Sequence, residues 1–321
     1  MRVISGMQPT GIPHLGNYFG AFVNWIDLQD KGHECFYFIA NQHAITIPQD
    51  GEKLRKNTIE LAATMLAVGL DKSTIFVQSD VPAHAQLTWV LSCLAPMGQM
   101  ERMIQFKEKS EKQAGSATLG LFSYPALQAS DVLLYKANVV PVGIDQKQHL
   151  ELTRDLAKKF NNQYKPIFPE PEVLHTKTTK VVGLDGKSKM SKSYNNHIGL
   201  TDTSEEIWKK LAPAVTDPAR IKKSDPGNPD ICNIYALHKL LSEQQDIKWA
   251  EDGCRSASIG CIECKKKLFE NIESTIAPIR ESFHSWMEKQ NDIKDILAEG
   301  AKKANSIANE TLREVYDLVG L

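Results

Sequence analysis

Long hydrophobic runs, internal repeats and low-complexity segments are absent from this sequence. No stretch approaches the ~20 apolar residues that a membrane-spanning helix needs. Residues 1–6 pass directly into a strand-like pattern, without the charged and apolar regions of a secretory signal, so we expect a cytoplasmic protein. The 321 residues, 42% of them hydrophobic and 24% charged, are typical of a globular chain with two domains or one large domain with an appendage.

A large excess of either charge is also absent, since the formal net charge is −1. The protein as a whole is therefore not basic, although a local patch is enough to bind nucleic acid. Residues 187–223 form such a candidate patch, with eight Lys or Arg and four Asp or Glu. This segment is either an ordinary solvated surface or a contact for RNA, and its position beside a lysine-rich loop favours RNA.

The first half of the chain alternates between short apolar runs and segments with helical spacing. The pattern predicts strands at residues 1–5, 35–40, 74–77 and 138–142, and helices at 17–30, 52–69, 84–95, 121–136 and 145–160. Such alternation is typical of an α/β fold with a doubly wound parallel sheet. Ligands of these sheets bind at the carboxyl ends of the strands, where Gly6, Asn41 and Gly143 fall.

The pattern changes near residues 185–195. From residue 193 onward no segment has a convincing strand pattern, and helices are predicted at 203–214, 231–243, 256–290 and 292–318. The sequence therefore predicts a helical second part after the α/β part.

Two short motifs carry residues suited to binding phosphate. Residues 14–17 (HLGN) open a predicted helix, whose free N–H groups and dipole favour an anion. Residues 189–193 (KMSKS) place two ammonium groups and two hydroxyls in one loop, downstream of the Asp185-Gly186 turn. Alone, each motif is compatible with a capped helix start or a surface loop. Together they indicate a site that neutralises the phosphates of a nucleotide.

The two motifs, in this order, resemble the HIGH and KMSKS signature of the class I aminoacyl-tRNA synthetases. The second motif is complete, whereas the first has Leu15 and Asn17 in place of isoleucine and histidine. Asparagine at this position is typical of the tryptophan branch of the family. Further stretches resemble that branch, namely residues 41–44, 78–84, 105–110, 124–131 and 140–146.

The resemblance implies a Rossmann-like catalytic domain that binds ATP. It assigns catalytic roles on the ATP phosphates to His14, Asn17, Lys109, Lys189 and Lys192. It implies a wider set of ATP contacts, namely Gln8, Pro9, Thr10, Gly16, Asn17, Gly143, Ile144, Asp145, Val181, Lys189, Met190, Ser191, Lys192 and Ser193. Mg²⁺ would be bound mainly by ATP itself.

Asp131 is the candidate that selects the amino acid. It lies among apolar residues of a predicted helix, and a buried carboxylate needs a hydrogen-bond donor. A backbone N–H or a lysine would satisfy it, but the resemblance assigns it to the indole N–H of tryptophan, which is donor-only. The implied tryptophan site contains Asp131, Tyr124, Gln128, Gln146, Ile4, Val140, Val142 and His43. Gln128 departs from the methionine of many bacterial relatives, which changes the polarity of the slot.

Four of the six cysteines are grouped as Cys232, Cys254, Cys261 and Cys264. In a cytosolic protein such a group suggests a metal rather than disulfides, and both Zn²⁺ and a [4Fe–4S] cluster accept four thiolates. The spacing alone leaves zinc, a cluster or no metal open. The resemblance extends to a subgroup that holds a [4Fe–4S] cluster in its anticodon-binding region, although the first gap there is one residue longer. Residues 265–267, three lysines, follow as either a solvated face or a contact for RNA.

The resemblance predicts the activity as well. The chain would activate tryptophan with ATP and transfer it to the terminal ribose of tRNA(Trp), as a homodimer. It would have a catalytic domain at residues 1–190, a helical anticodon-binding domain at 191–290, and a C-terminal helix at 291–321 that packs back on the catalytic domain. A tyrosine-specific enzyme and a non-catalytic RNA-binding or iron-responsive paralogue are the alternatives.

Overall fold

The structure is a computed structural model that describes residues 1–104, 106, 117–143, 146–175 and 181–321, with Val142 and His175 described by their backbone alone. Five parallel strands form one sheet in the order β3-β2-β1-β4-β5. The strands are β1 (Arg2–Met7), β2 (Glu34–Ile39), β3 (Thr74–Val77), β4 (Val139–Val142) and β5 (Glu172–His175). β1 pairs with both β2 and β4, so the strand order reverses at β1. The predicted doubly wound parallel sheet is therefore confirmed.

Four of the five strands coincide with the predicted apolar runs, because a strand buried on both faces is apolar throughout. Residues 35–39 of β2 are all buried. β5 was not predicted: it has four residues, carries Glu172 and an exposed Leu174, and follows a proline-rich segment. Its pairing with β4, rather than its own pattern, makes it a strand.

The described helices are α1 (Leu15–Asn17), α2 (Val23–Asp30), α3 (Asn41–Ala44), α4 (Gly51–Ala67), α5 (Ala83–Leu94), α6 (Met97–Glu101), α7 (Leu119–Leu133), α8 (Lys147–Gln163), α9 (Ser204–Leu211), α10 (Asn233–Leu241), α11 (Gln244–Arg255), α12 (Cys261–Glu288) and α13 (Gln290–Val319). A π-helical turn at Tyr18–Phe22 joins α1 to α2. From residue 193 to the end, all of it described, helices are present and no strand, as predicted.

The chain divides into two compact units. The first contains residues 1–11, 21–179 and 286–321, and therefore the sheet and α13. α13 packs on β3, α4 and α5, and its Ala301, Ala304 and Ala308 belong to the same buried cluster as strand residues such as Phe36. Small residues let this helix approach the sheet closely.

The second unit contains residues 12–20 and 180–285. It joins the segment around His14 to helices α9, α10 and α11 and to most of α12. Within it, His14 forms an antiparallel bridge with Gly199, and Leu200 N–H donates to Pro13 O at 2.9 Å. The functional domains at 1–190, 191–290 and 291–321 stay a prediction.

The approach of α13 to β3 predicts a stability effect at Gly300. A Cβ at this position would lie 1.9 Å from the backbone O of Ile75, so Gly300→Ala must displace the helix. We expect the free energy of unfolding to fall by more than ~2 kcal/mol, despite the better helix propensity of alanine. Urea denaturation measures this, with Ala298→Val on the exposed face of α13 as the control that changes little. Equal stability of Gly300→Ala and the wild type would contradict the packing.

Candidate nucleotide and amino-acid sites

Asp131, in α7, is the centre of a buried polar network in the first unit. Its side chain is 2% exposed. Oδ1 accepts from Gln78 Nε2 at 2.7 Å and from His84 Nδ1 at 2.6 Å. Oδ2 lies 2.6 Å from His43 Nε2. The predicted burial is therefore correct, and side chains following β2 and β3 supply the donors.

The network continues from His84 to a phenol. His84 Nε2 lies 2.9 Å from Tyr135 Oη. Burial, and then the charge of Asp131, raise the pKa of Tyr135, so its O–H stays protonated and donates to the imidazole. Burial alone would raise the pKa of Asp131, but the charge and hydrogen bond of His43 and the hydrogen bond of His84 lower it to about 2. Asp131 is thus an anion at neutral pH.

Gln78, His84 and Tyr135 had no predicted role, although Gln78 and His84 lie in a stretch that the resemblance used. The sequence signal that could have identified them is a polar residue next to apolar strand or helix residues. A glutamine at the end of β3 and a histidine in an apolar helix are each buried, and a buried polar group needs a partner.

The other residues predicted for tryptophan lie nearby in the fold of this unit. Tyr124 Oη is 2.8 Å from His149 Nε2, and its ring lies edge-on to His43 with centroids 6.2 Å apart. Gln128 Nε2 donates to Gln146 Oε1 at 3.3 Å. Ile4 and Val140, at adjacent strands β1 and β4, are buried in the main apolar cluster. Their contact with a substrate stays a prediction.

The end of β1 lies in close contact with a side chain of β2. A Cβ at Gly6 would lie 2.5 Å from the ring of Phe38, so this position requires glycine. Beyond it, Asn57 Nδ2 of α4 donates to Pro9 O at 3.1 Å, and Thr10 N–H donates to Gln8 O at 2.9 Å. Asn57, which had no predicted role, therefore holds the predicted ATP-binding segment in place.

In the second unit, His14–Asn17 adopts the expected helix start. Asn17 Oδ1 accepts from His14 N–H at 3.0 Å, so the asparagine caps its own turn. A Cβ at Gly16 would lie 2.9 Å from the His14 ring, which explains the glycine. Leu15 N–H donates to Ile198 O at 3.0 Å, which fixes this turn against the segment after the lysine loop.

His14 is a neutral imidazole at pH 7. Burial, and then the electrostatic effects of His197, Lys192 and Lys189, lower its pKa to about 4. Its Nδ1 is buried and has no hydrogen-bond partner in the part of the chain that is described. The ring is therefore suited to donate a hydrogen bond to a phosphate rather than to add a permanent charge.

The lysine loop is one arm of a small hairpin. Val182 and Lys189 form an antiparallel bridge, and Met190 N–H donates to Val181 O at 2.9 Å. Val181 and Met190 are both buried. Beyond the second arm, Lys192 Nζ donates to Ile12 O at 3.1 Å, two residues before His14. The two predicted phosphate motifs therefore meet within this unit.

Asn196 holds the lysine loop and was not predicted. Its Oδ1 accepts from Ser191 N–H at 2.8 Å, and its Nδ2 donates to Asp185 Oδ2 at 3.0 Å. Asp185 Oδ1 in turn accepts from the backbone of Lys187 and Ser188 at 3.1 and 3.2 Å. The whole hairpin is thus held by side-chain contacts to the backbone. Surface-loop composition gave no sign of this.

The four grouped cysteines lie in one region of the second unit. Burial, and then Cys232, Cys254 and Cys261, raise the pKa of Cys264 to about 12. Arg220 Nη1 lies 3.9 Å from Cys254 Sγ and 4.0 Å from Cys261 Sγ. However, no three ligands among the described residues are arranged around a single metal ion. The thiols are thus within electrostatic reach of each other, but the described residues form no metal-binding group.

The three lysines after Cys264 do not all face solvent. Lys265 is 5% exposed, and its Nζ donates to Ala212 O at 2.6 Å and Ala214 O at 2.7 Å, at the end of α9. Lys267 pairs with Glu270 at 3.1 Å. The hypothesis of three cations directed at RNA is therefore wrong for Lys265, because its ammonium group caps a helix.

Three predicted site residues, Lys109, Ile144 and Asp145, lie outside the described residues. The structure places Gly143 at the end of β4, where its O accepts from Gln146 N–H at 3.0 Å. In the part of the chain that the structure describes, no helix combines the length and apolarity needed to cross a membrane.

The lowered pKa of His14 predicts how stability depends on pH. The unfolded chain binds more protons than the folded one between pH 6.5 and about 4, so stability is full above pH 6.5 and falls toward pH 4. His14→Gln removes this effect. We therefore expect its free energy of unfolding to fall by about 2–3 kcal/mol less than that of the wild type between pH 7 and pH 4.5. Urea denaturation at pH 7 and pH 4.5 measures the difference. His284→Gln, at an exposed position, is the control, and identical losses in His14→Gln and the wild type would contradict the burial of a neutral imidazole.

Comparison with known proteins agrees with this geometry. Residues 1–277 match the family model of class I tRNA synthetases for tryptophan and tyrosine. The chain is 45% identical to the tryptophan–tRNA ligase of Deinococcus radiodurans, over 99% of this chain and 98% of that protein. It is 44% identical to the same enzyme of Thermotoga maritima, over 100% and 99%. The crystal structure of the Campylobacter jejuni tryptophanyl-tRNA synthetase complexed with ADP and tryptophan superposes with a TM-score of 0.91, at 41% identity and full coverage of both chains. The chain therefore belongs to the class I tRNA synthetases of the tryptophan and tyrosine family, and within it to the tryptophanyl-tRNA synthetases.

Proposed function

We propose that the chain is a tryptophan–tRNA ligase. The carboxylate of tryptophan attacks the α-phosphate of ATP, the bond to the β-phosphate breaks, and pyrophosphate leaves. The tryptophanyl group then passes from AMP to the 3′-terminal ribose of tRNA(Trp). The protein supplies no covalent nucleophile, so catalysis consists of positioning the substrates and neutralising charge.

The state of Asp131 is the observation that supports tryptophan as the substrate. A carboxylate has about four lone-pair sites. Gln78 and His84 occupy those of Oδ1, and His43 occupies one of Oδ2. One acceptor site on Oδ2 is left for the indole N–H. A phenylalanine ring would leave this buried acceptor unpaired, which is strongly unfavourable.

The lysine loop and the His14 turn would act on the phosphates. Lys189 and Lys192 neutralise the charge that develops on the departing pyrophosphate. Neutral His14 and the Nδ2 of Asn17 donate hydrogen bonds to phosphate oxygens. Mg²⁺, when bound with ATP, neutralises part of the same charge. The other residues of the predicted ATP site, such as Gln8 and Thr10, would contact the nucleotide as well.

The helices of the second unit would contact tRNA. The segment 187–223 is basic, and Lys222, Lys223 and Lys266 are exposed. Phosphate contacts of this kind make affinity depend on salt. The anticodon-binding role of α9–α12 and the cytoplasmic location are proposals of the same kind.

A [4Fe–4S] cluster at the four grouped cysteines is part of the proposal, because their spacing in the sequence resembles that of the subgroup that carries one. Each thiolate of such a cluster binds a different iron, whereas the ligands of a structural zinc surround one ion. Arg220 Nε is buried without a hydrogen-bond partner in the described chain, and Gly227 leaves no room for a Cβ beside Cys254 Sγ. Both features suit a bulky anionic group held by Cys232, Cys254, Cys261 and Cys264.

A second copy of the chain would cover an apolar surface of the first unit. Trp89 of α5, Met97 of α6 and Leu119 of α7 are 70%, 63% and 79% exposed. α5 and α6 both pack on α7, so the three helices that carry these side chains are neighbours. Exposed apolar residues in one region are typical of an interface between subunits.

Amino-acid-dependent ATP–pyrophosphate exchange tests the proposed activity. We expect exchange with tryptophan to exceed that with phenylalanine by at least about 1000-fold in kcat/KM, because a site built for a hydrogen bond rejects analogues that cannot make it, and to exceed that with tyrosine as well. Lys189→Ala lowers kcat by at least about 100-fold. Lys294→Ala, on the exposed surface of α13, is the control. Preference for tyrosine would make this a tyrosine enzyme, and no exchange with either would make it a non-catalytic paralogue.

Metal analysis of anaerobically purified protein tests the cluster. We expect a visible absorbance band with equal iron and sulfide, and loss of both in Cys264→Ser. Cys93→Ser, which removes an exposed cysteine outside the group, leaves the iron content unchanged. A colourless protein with one zinc per chain would contradict the cluster.

Sedimentation velocity tests the homodimer. Trp89→Glu places a charge in the apolar region, so we expect this variant to sediment as a monomer while the wild type is a dimer. Ile221→Glu, at a position 87% exposed in the second unit, should leave the dimer intact. A monomeric wild type would refute the proposal.

A further inference from the structure

The base of the lysine loop, residues 183–186, is held by the helical part of the second unit. Asn233 Nδ2 donates to Gly183 O at 2.8 Å, and both groups are buried. Val215 N–H donates to Leu184 O at 3.1 Å. Gly186, with φ of +67°, lies against both, since a Cβ there would be 3.3 Å from Val215 and 3.6 Å from Asn233. The turn that carries the loop is thus fixed from two sides.

Both supports are connected to a grouped cysteine through a neighbouring residue. Asn233 is the first residue of α10, and the residue before it, Cys232, is the N-cap of that helix. Lys265 follows Cys264, and its ammonium group holds the carbonyls of Ala212 and Ala214, directly before Val215. Two of the four cysteines therefore adjoin the residues on which the loop base depends.

We propose that Asn233 and Lys265 are positioning residues that transmit the order of the cysteine region to the lysine loop. The role of the loop on ATP rests on the proposed function, whereas the contacts that place it do not. The asparagine donor fixes the Gly183 carbonyl, and Lys265 fixes the segment that pairs with Leu184. With the base fixed, Asn196 holds the backbone of Ser191 and of Lys189.

The buried carbonyl of Gly183 accepts two hydrogen bonds, from Gly186 N–H at 3.0 Å within the turn and from Asn233 Nδ2. If Asn233 cannot donate, the carbonyl keeps only the bond within its own turn, so the loop base is no longer tied to α10 and shifts. A shift of ~1 Å at charged groups that act on a transition state costs roughly 100-fold in rate. The hydrogen-bond network around Asp131 contains none of these residues, so binding of the amino acid should be unaffected.

The test uses Asn233→Asp in the full-length protein with its metal content measured. The carboxylate has the size of the amide but cannot donate to Gly183 O. We expect trypsin to cut after Lys187, Lys189 or Lys192 at least 10-fold faster than in the wild type. The kcat of tryptophan-dependent exchange should fall at least 10-fold, with KM for tryptophan within 2-fold. Lys265→Met keeps the aliphatic part of the side chain and loses the ammonium group. It should also raise the rate of trypsin cleavage and lower the kcat of exchange.

Asn161→Asp is the matched control. Asn161 Nδ2 donates to Phe168 O at the same 2.8 Å, but in the first unit. The melting temperature of this variant should fall by about as much as that of Asn233→Asp. The rate of trypsin cleavage in the lysine loop should be unchanged. Unchanged cleavage and kcat in folded Asn233→Asp, or changes no larger than in Asn161→Asp, would overturn the proposal. If Asn233→Asp does not fold, Asn233→Ser and Lys265→Met decide by the same criteria. A wild type without exchange would refute the enzyme, while the cleavage rates would still judge the positioning.

Discussion

A buried anion with three side-chain donors is the constraint on which the first unit depends. Asp131 can be ionised inside the protein only because Gln78, His84 and His43 donate to it. These donors come from α3, from the end of β3 and from α5, so the positions of three elements are tied to one carboxylate. The sheet order places them together, because β2 and β3 are adjacent and parallel and end at the same edge.

The same constraint accounts for selectivity. A carboxylate with all but one acceptor site occupied can accept a single further hydrogen bond, and its direction is fixed by the three donors already present. Tyr135, through His84, holds the imidazole in the tautomer that donates to Asp131. An amino acid without a ring donor would leave a buried negative oxygen unpaired. Selection against amino acids without a ring donor therefore follows from the cost of an unpaired acceptor rather than from the size of the slot.

Sequence reasoning predicted the sheet and the two phosphate motifs, because apolar strand runs and clustered lysines are local signals. It also predicted the burial of Asp131 from its apolar neighbours. It did not find β5, whose strand state depends on pairing with β4, nor Asn196 and Asn233, whose partners are carbonyls or amides far along the chain or across a turn. Lys265 was misinterpreted because a run of three lysines gives no sign that the first lies over the end of α9. Local composition predicts elements, whereas the hydrogen bonds that set a site require the fold.

Binding of a tryptophan analogue tests the central claim most directly. In 3-benzothienylalanine a sulfur replaces the indole N–H, with little change in shape. The account predicts that the wild type binds this analogue about 10- to 100-fold more weakly than tryptophan in calorimetric titration, because Asp131 Oδ2 then lacks a donor. In Asp131→Ala the two ligands should bind within about 3-fold of each other, since no acceptor is left unpaired. Equal affinity of the wild type for both ligands would contradict the account.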